Sequence, residues 1–482
     1  MNRFLFKSIY LPVILIIVHS NLLFGKITLP ALFSTNAVLQ QNSDIEIFGT
    51  ARENSVVKLT TSWDKKVYRM RSDGSGKWKI VVSTLSAGGP YSISISDGDA
   101  VVLENVMVGV VWFCGGQSNM EMPLKGFPNQ PVNGSQDLIV NADKDIPVRC
   151  FSLERMASDI PIEQCQGKWV LNTPNEVCNI SAVAYSFAKE LQNTLKVPVG
   201  IIVSAWGGTN LQCWSSMNAI SQSEIDVNSA KNEKYKSSSP SALFNGMIYP
   251  VRNYKVQGMI WYQGENNVKE PLLYRKLFPF FVQGVRDLFN SENMPFYYVQ
   301  IAPYFSWKRD SVQTNRDQNG ALLREAHMKC LRLIPNSGIV VTLDIGDKHC
   351  IHPAEKDIIG KRLAYWALAK EYKRSGFSFS GPIYKSYRIL ENKIIIDFDY
   401  SEMGLSPMGV HLENFEIAGD DKIFYPAQAR VAEGGKEHGQ LVVSSDYVPV
   451  PVAVRYAFRN FSKASLFNVY RLPASSFRTD NW

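Results

Sequence analysis

Beyond its first 25 residues, the 482-residue sequence lacks a long hydrophobic run, a run of five or more like charges, and any internal repeat. The first absence excludes a membrane span of ~18 apolar residues in the body of the chain. The second leaves the net charge of +7 spread over the surface, so we do not expect a nucleic-acid partner. With 45% hydrophobic and 20% charged residues, the composition is that of a globular protein.

The N-terminus has the pattern of an export signal. Arg3 and Lys7 precede the short apolar stretch Ile9–Val18, and a charged residue follows at Lys26. We therefore expect residues 1–25 to be a cleaved signal peptide and the mature chain to be periplasmic or secreted. The bulky Leu23, close to the predicted cleavage point, leaves an uncleaved anchor as the alternative.

None of the seven cysteines forms a CxxC pair, which excludes a zinc ribbon or a thioredoxin-type redox site. An odd number of cysteines in an exported chain leaves at least one free thiol. Cys165 and Cys178 are close enough in sequence to pair, and the sequence does not settle whether they do.

Hydrophobic periodicity divides the chain into three regions. Residues 26–105 and 383–482 alternate apolar and polar side chains, which predicts antiparallel β-sandwich regions. Residues 106–382 contain short continuous apolar runs separated by helical patterns, which favour an α/β domain with a buried parallel sheet. The predicted strands are Val106–Phe113, Val197–Ala205, Val256–Tyr262, Phe296–Ile301 and Gly338–Leu343. The predicted helices are Ala182–Leu195, Ala321–Leu333 and Glu355–Tyr372.

Polar and glycine-rich segments follow four of these predicted strands. Ser118 follows the first, Gly207 and Gly208 the second, Gln263 and Asn266 the third, and a segment with two aspartates and two histidines the last. Ligands of open α/β sheets bind beyond the carboxyl ends of the strands, so these loops are expected to meet at one rim. Together they supply the parts of a serine esterase.

Ser118 is the candidate nucleophile, and His349 or His352 is the candidate base. A serine hydroxyl needs an imidazole within hydrogen-bond reach to become reactive. The other four histidines fall in the signal, a predicted helix or the C-terminal β region, and His352 lies at the start of a predicted helix. The motif Gly-Gln-Ser-Asn-Met lacks the second glycine of the α/β-hydrolase elbow, so a helix-capping serine is the alternative.

Two further interpretations concern the same rim. Gly207–Gly208 with an amide from Gln263 or Asn266 would suit an oxyanion hole, which needs two or three N–H donors about 3 Å from the oxygen. The segment from Asp344 to His352 contains metal-ligand types, but its spacing matches no standard site. We therefore expect no metal and no cofactor.

With these residues in place, the chain closely resembles the sialate O-acetylesterases, a branch of the SGNH-type serine esterases. Gly-Gln-Ser-Asn-Met together with Trp-Tyr-Gln-Gly-Glu is highly specific. The matching segments include Gly116–Glu121, Trp206–Thr209, Asn245–Pro250, Trp261–Asn266, Leu323–Ala326, Asp344–Asp347, Ile351–Pro353, Arg455–Phe458 and Phe477–Asp480.

The resemblance implies an SGNH-like α/β core and serine-based removal of acetyl groups from sialic acid hydroxyls, without a metal. It makes Ser118 the nucleophile and His352 the base. The oxyanion hole implied is Ser118 N–H, Gly208 N–H and the amide of Gln263 or Asn266. The substrate-binding residues implied are Gln117, Asn119, Trp206, Glu265 and Arg324.

This chain departs from the family at the position three residues before the base, where His349 replaces the usual aspartate. We therefore expect Asp347 or Asp344, or a backbone carbonyl, to orient His352. Val110 and His327 are further departures that bear on substrate detail. The alternative functions are deacetylation of another polysaccharide, such as acetylated xylan, and a catalytically silent glycan-binding protein. The oligomeric state is left open.

Overall fold

The structure is a computed structural model, and it describes residues 27–226, 236–305, 318–432 and 438–482. The predicted export signal, residues 1–25, lies outside the described residues. Within those ranges, no helix is both long and apolar enough to cross a membrane.

The N-terminal region consists of short antiparallel strands whose side chains alternate between buried and exposed positions. β5, for example, buries Trp78, Ile80 and Val82 and exposes the residues between them. β2 pairs with β5, and β3 pairs with β4 and β6. The strands are β1 Val38–Gln40, β2 Asp44–Thr50, β3 Val56–Thr61, β4 Val67–Arg71, β5 Lys77–Ser83 and β6 Gly88–Ser96.

A single strand, β7 (Ala100–Gly116), connects this region to the central sheet. Its first half runs antiparallel to β6, whereas Val110–Gly116 pairs in parallel with strands on both sides. The predicted boundary at residue 105 therefore lies inside one continuous strand.

The central sheet has the parallel order β13-β12-β11-β7-β10-β8, with the short β9 added antiparallel at the edge. Its remaining strands are β8 Val148–Ser152, β9 Trp169–Val170, β10 Val199–Ala205, β11 Gly258–Tyr262, β12 Phe296–Val299 and β13 Ser337–Val340. Successive residues of β7 alternate between two hydrophobic clusters: Val111 and Phe113 belong to one, Trp112 and Cys114 to the other. The sheet is thus buried on both faces, as continuous apolar strands require.

Helices cover both faces of this sheet, with α4 against α9 and α7 against α8. The α-helices are α1 Ser118–Glu121, α2 Ser135–Val140, α3 Pro174–Val177, α4 Ala182–Leu195, α5 Leu211–Trp214, α6 Met217–Gln222, α7 Pro271–Leu288, α8 Asn319–Leu331 and α9 Lys356–Lys370. Shorter 3₁₀ or π segments are Lys236–Ser238, Phe244–Ile248, Tyr249–Val251 and Glu265–Asn267.

Helix α7 was not predicted, and its proline explains why the pattern is ambiguous. Pro279 lies inside the helix and has no N–H for the carbonyl of Arg275, four residues earlier. That carbonyl instead accepts the thiol of Cys330, with Sγ 3.7 Å from the oxygen. A contact from α8 thus replaces the missing helical hydrogen bond.

The C-terminal region forms two four-stranded antiparallel sheets, β14-β15-β20-β19 and β18-β17-β21-β23, around their own apolar cluster. Its strands are β14 Ile383–Leu390, β15 Lys393–Asp399, β16 Leu405–Ser406, β17 Phe415–Ala418, β18 Phe424–Pro426, β19 Gln428–Val431, β20 Gln440–Ser444, β21 Ala453–Tyr456, β22 Phe467–Asn468 and β23 Phe477–Arg478. The predicted fold class, a parallel α/β core flanked by antiparallel β regions, is confirmed.

Candidate active site

Ser118 lies at the first residue of α1, directly beyond the carboxyl end of the central strand β7. The chain turns sharply at Gly116, which has φ of +150°. A Cβ at Gly116 would lie 2.1 Å from the carbonyl oxygen of Tyr262, so only glycine fits there. The backbone N–H of Ser118, at the start of the helix, has no hydrogen-bond acceptor among the residues that the structure describes.

His352 faces Ser118 across the rim. Its Nε2 is 2.8 Å from Ser118 Oγ, and both side chains are half-buried. The ring of Phe127 packs edge-on against the imidazole, with centroids 5.4 Å apart. The predicted nucleophile and the predicted base are therefore within hydrogen-bond distance of each other.

The other imidazole nitrogen is held by a residue that the sequence did not predict. Gln130 Oε1 lies 2.6 Å from His352 Nδ1. An acceptor at Nδ1 fixes the proton on that nitrogen and leaves the lone pair of Nε2 directed at Ser118. Gln130 thus occupies the place for which an aspartate was expected.

The two predicted aspartates are engaged elsewhere. Asp344 accepts two hydrogen bonds from the guanidinium of Arg362, at 2.9 and 2.6 Å. Asp347 accepts the backbone N–H groups of His349 and Cys350 and so closes the turn before the base. In the described part of the chain, the ring of His352 forms its hydrogen bonds with Ser118 and Gln130.

The surroundings of His352 lower its pKa to about 4. Burial is the larger cause, because it penalises the charged imidazolium, and the positive charge of Lys356 adds to it. No carboxylate on Nδ1 opposes this effect. The imidazole is therefore neutral at neutral pH, which is the form that can accept a proton.

The glycine pair after β10 presents one free backbone donor. Gly207 N–H donates to Glu121 Oε2 at 2.8 Å and is therefore occupied. Gly208 is exposed, has φ of +75°, and its N–H meets no acceptor among the residues that the structure describes. The neighbouring Trp206 is half-buried, and the guanidinium carbon of Arg155 lies over its ring, 5.5 Å from the ring centroid. The indole is therefore partly exposed at the rim.

The two predicted amide donors after β11 differ in position. Gln263 is fully buried, and its Nε2 lies 2.8–3.3 Å from acceptors on Asn267, Thr209 and Gln117. Asn266 is exposed, and its side-chain amide has no hydrogen bond to any described residue. Asn266, and not Gln263, therefore offers an unoccupied amide to a ligand.

Three of the predicted substrate-binding residues are buried beneath the rim. Gln117 Oε1 accepts from the backbone N–H groups of Gly264 and Asn266, both at 3.3 Å. Asn119 donates to Glu265 Oε1 at 2.5 Å. Because these side chains bond to protein groups, the structure assigns them to the support of the rim and not to its open side.

Arg324 is also placed differently from its prediction. Its guanidinium is fully buried and donates to Ser476 Oγ and to the backbone carbonyls of Arg459 and Asn460. It therefore connects α8 to the C-terminal β region and presents no donor to a substrate. His327 is likewise fully buried, packed against Tyr274 with ring centroids 4.7 Å apart.

No three His, Cys, Asp or Glu side chains of the described ranges are grouped to hold a metal ion. All seven cysteines are unpaired in the structure, Cys165 and Cys178 included. The sequence did not predict Gln130 or Phe127, and Lys356, which is part of the family resemblance, was given no role. Gln130 and Phe127 belong to a loop that follows no strand, and glutamine carries no titratable group, so nothing in the sequence marked them.

Comparison with known proteins defines the class. The family model described as "Carbohydrate esterase, sialic acid-specific acetylesterase" matches residues 108–369, which is more than half of the chain. The chain therefore belongs to the sialic acid-specific acetylesterase family, and the protein is a carbohydrate esterase.

Relatives support this assignment. The chain is 27% identical over 417 residues to the sialate O-acetylesterase of Rattus norvegicus, covering 74% of this chain and 75% of that protein. It is 26% identical over 389 residues to the human sialate O-acetylesterase, covering 73% and 72%. A solved structure, the carbohydrate acetylesterase XAC1771 from Xanthomonas citri, matches with a TM-score of 0.85 and 32% identity. That match covers 95% of this chain and all of the other.

Proposed function

We propose that the protein hydrolyses O-acetyl esters of sialic acids through a serine acyl-enzyme mechanism. The observation that carries this proposal is the 2.8 Å contact between Ser118 Oγ and His352 Nε2, with Nδ1 held by Gln130. A silent glycan-binding protein would have no need of a serine and a neutral histidine in this arrangement.

In the first step, Ser118 Oγ attacks the acetyl carbonyl carbon while His352 Nε2 takes the hydroxyl proton. The carbonyl oxygen becomes an oxyanion in the tetrahedral intermediate. When the C–O bond to the sugar breaks, His352 returns the proton to the departing sugar alcohol. The acetyl group stays on Ser118 as an ester.

The oxyanion is stabilised by the uncapped N–H of Ser118, the free N–H of Gly208 and the side-chain amide of Asn266. These donors come from three loops at the carboxyl ends of β7, β10 and β11. Fixed donors at this position stabilise developing charge because they need no reorientation during the reaction.

In the second step, water attacks the acetyl-enzyme. His352 takes a proton from the water, the Ser118–acetyl bond breaks, and acetate leaves while the proton returns to Ser118 Oγ. Every proton moves between Ser118, His352, water and substrate, and no cofactor takes part.

O-acetylated sialic acid is the proposed substrate because the family model and the curated relatives carry that specificity in their names. A neutral acetylated polysaccharide such as xylan is the second candidate. It stays a candidate because the Xanthomonas protein, which covers more of the chain at higher identity, is described as a carbohydrate acetylesterase with no sialic acid in its description. The N-terminal pattern adds the proposal that the enzyme is exported.

The test is acetate release by wild type and Ser118→Ala from O-acetylated sialic acid and, separately, from acetylated xylan. Release from the sialic acid by wild type alone supports both the mechanism and the substrate. Release from xylan alone keeps the mechanism and changes the substrate. Retained activity in Ser118→Ala, or no release from either substrate, contradicts the proposal.

The pH profile is an independent readout of the base. Activity requires neutral His352, so kcat/KM falls as the pH drops through its pKa of about 4. At about pH 5 the wild type is expected to be close to full activity. A histidine with its ordinary pKa of 6.5 would be mostly protonated at about pH 5. An acid limb near pH 6.5 would therefore argue against a lowered pKa of His352.

A further inference from the structure

Lys356 is a fully buried cation directly behind the proposed catalytic pair. It is the first residue of α9, four positions after His352, and its side chain is completely shielded from solvent. Burying an ammonium group is costly unless protein groups replace its water. A lysine at this position therefore needs a structural or chemical reason.

The contacts of Lys356 lead to the nucleophile. Its Nζ donates to Oδ1 of Asn119, the residue after Ser118. The same Asn119 donates through Nδ2 to Glu265 Oε1 at 2.5 Å and to the carbonyl of Ile351 at 3.2 Å. One amide thus connects the start of α1, the loop after β11 and the segment that carries His352.

The charges of this cluster are arranged around that amide. Glu265 supplies the opposite charge, and the ammonium lies 5.6 Å from the centroid of the Tyr262 ring. Glu265 and, to a smaller extent, Cys350 in the loop before α9 raise the pKa of Lys356 and so oppose the effect of burial. Glu265 Oε1 accepts from Asn119, Oε2 is buried without a hydrogen-bond partner in the described residues, and no direct ion pair joins Glu265 to Lys356 there.

Resting on the proposed serine mechanism, we propose that Lys356 is a positioning residue for the catalytic pair. Through Asn119 it holds the turn that carries Ser118 against the His352 segment. Its charge adds to burial in disfavouring protonation of the His352 imidazole, because a nearby cation opposes a second positive charge.

The electrostatics agree with this geometry. Burial is the main cause that lowers the pKa of Lys356, to about 7, so the side chain is charged throughout the acid range. The same positive charge is the second cause of the lowered pKa of His352, after burial. Removing it raises the pKa of His352, and activity is then lost at a higher pH as the solution is acidified.

Two neutral variants separate the charge from the hydrogen bond. Lys356→Met removes both, and it leaves Asn119 Oδ1 buried without this donor, so it can fail to fold. Lys356→Gln removes the charge and keeps an N–H for Asn119. Lys361→Met is the matched control, because Lys361 lies on the same helix, is 44% exposed and pairs with Asp357 at the surface.

The experiment measures kcat and KM for para-nitrophenyl acetate between about pH 3 and pH 8 in wild type, the three lysine variants and Ser118→Ala. In both Lys356 variants the acid limb should move up by roughly 1 pH unit. The Lys361→Met profile should not move. We expect kcat to fall further in Lys356→Met than in Lys356→Gln, with KM little changed, because only the former loses the link to Asn119.

An NMR titration of His352 in the Ser118→Ala background reads the same effect without turnover. An unshifted titration and acid limb in Lys356→Gln, with Ser118→Ala inactive, would overturn this proposal and leave the serine mechanism standing. An equal shift in Lys361→Met would also overturn it. Retained activity in Ser118→Ala would instead mean that the proposed function itself had failed.

Discussion

Two amides three residues apart, Asn266 and Gln263, divide the candidate site into a front and a rear. Asn266 is exposed and its side chain is unoccupied in the described structure, whereas Gln263 is fully buried and its amide donates to three residues, Asn267, Thr209 and Gln117. The front also contains Ser118, His352 and Gly208. The rear also contains Gln117, Asn119, Glu265 and Lys356.

The difference shows that burial gives residues of the same chemical type different roles, one structural and one in ligand contact. Both amides can donate hydrogen bonds, and both follow the same strand. A buried donor must be paired inside the protein because an unpaired one costs about 1–3 kcal/mol. An exposed donor needs no protein partner, because it donates a hydrogen bond to water until a ligand binds. Front residues should therefore act directly on turnover. Rear residues should mainly control stability, and among them Lys356 should also affect turnover through the position and charge of the catalytic pair.

The largest effect is expected at the front. Asn266→Ala removes one proposed oxyanion donor, which should lower kcat by about 10²–10³-fold. Because the side chain is exposed, the urea midpoint of unfolding should stay where it is in wild type. Steady-state kinetics and urea titration together test this. Unchanged kcat would remove Asn266 from the oxyanion hole.

The next largest effect is expected in the rear, where a substitution should lower stability and not act directly on turnover. Gln263→Leu removes the amide that donates to Asn267, Thr209 and Gln117, so the free energy of unfolding should fall by about 1–3 kcal/mol. Asn266→Ala is its matched control. If Gln263→Leu lost activity at full stability, the division into front and rear would be wrong.

A smaller effect is expected at Gln130, whose side-chain oxygen lies 2.6 Å from His352 Nδ1. Gln130→Leu removes the acceptor for His352 Nδ1–H and should lower kcat/KM roughly tenfold, which corresponds to about one hydrogen bond. Gln130→Glu restores an acceptor and adds a negative charge, so the acid limb should move to higher pH. If Gln130→Leu behaved as wild type, another group would have to orient the base.

The smallest effect is expected for Asp347→Asn. The amide keeps an acceptor for the N–H groups of His349 and Cys350, and the carboxylate does not contact His352. Activity should stay within about twofold of wild type, as for other surface changes away from a catalytic contact. A loss comparable to that of Asn266→Ala would restore the aspartate as the orienting group.

The sequence anticipated the strands of the core because buried parallel strands are continuous apolar runs. It anticipated the rim loops because they follow those strands. It did not identify helix α7, in which Pro279 interrupts the usual signals, nor the separation of Gln263 from Asn266. Arg324 illustrates the same limit: its type suits a sugar ligand, but the packing of α8 against the C-terminal region buries it.

By itself, the sequence determined the fold class and the loops that form the rim, because periodicity and strand-end position are local properties. Its resemblance to a known family then singled out Ser118 and His352. Only the tertiary structure decided which group holds His352, which amide is free, and that a buried lysine lies behind the nucleophile. Those outcomes depend on contacts between segments far apart in the chain. Gln130 and His352, for example, are separated by 222 residues and become neighbours only when their two loops pack together.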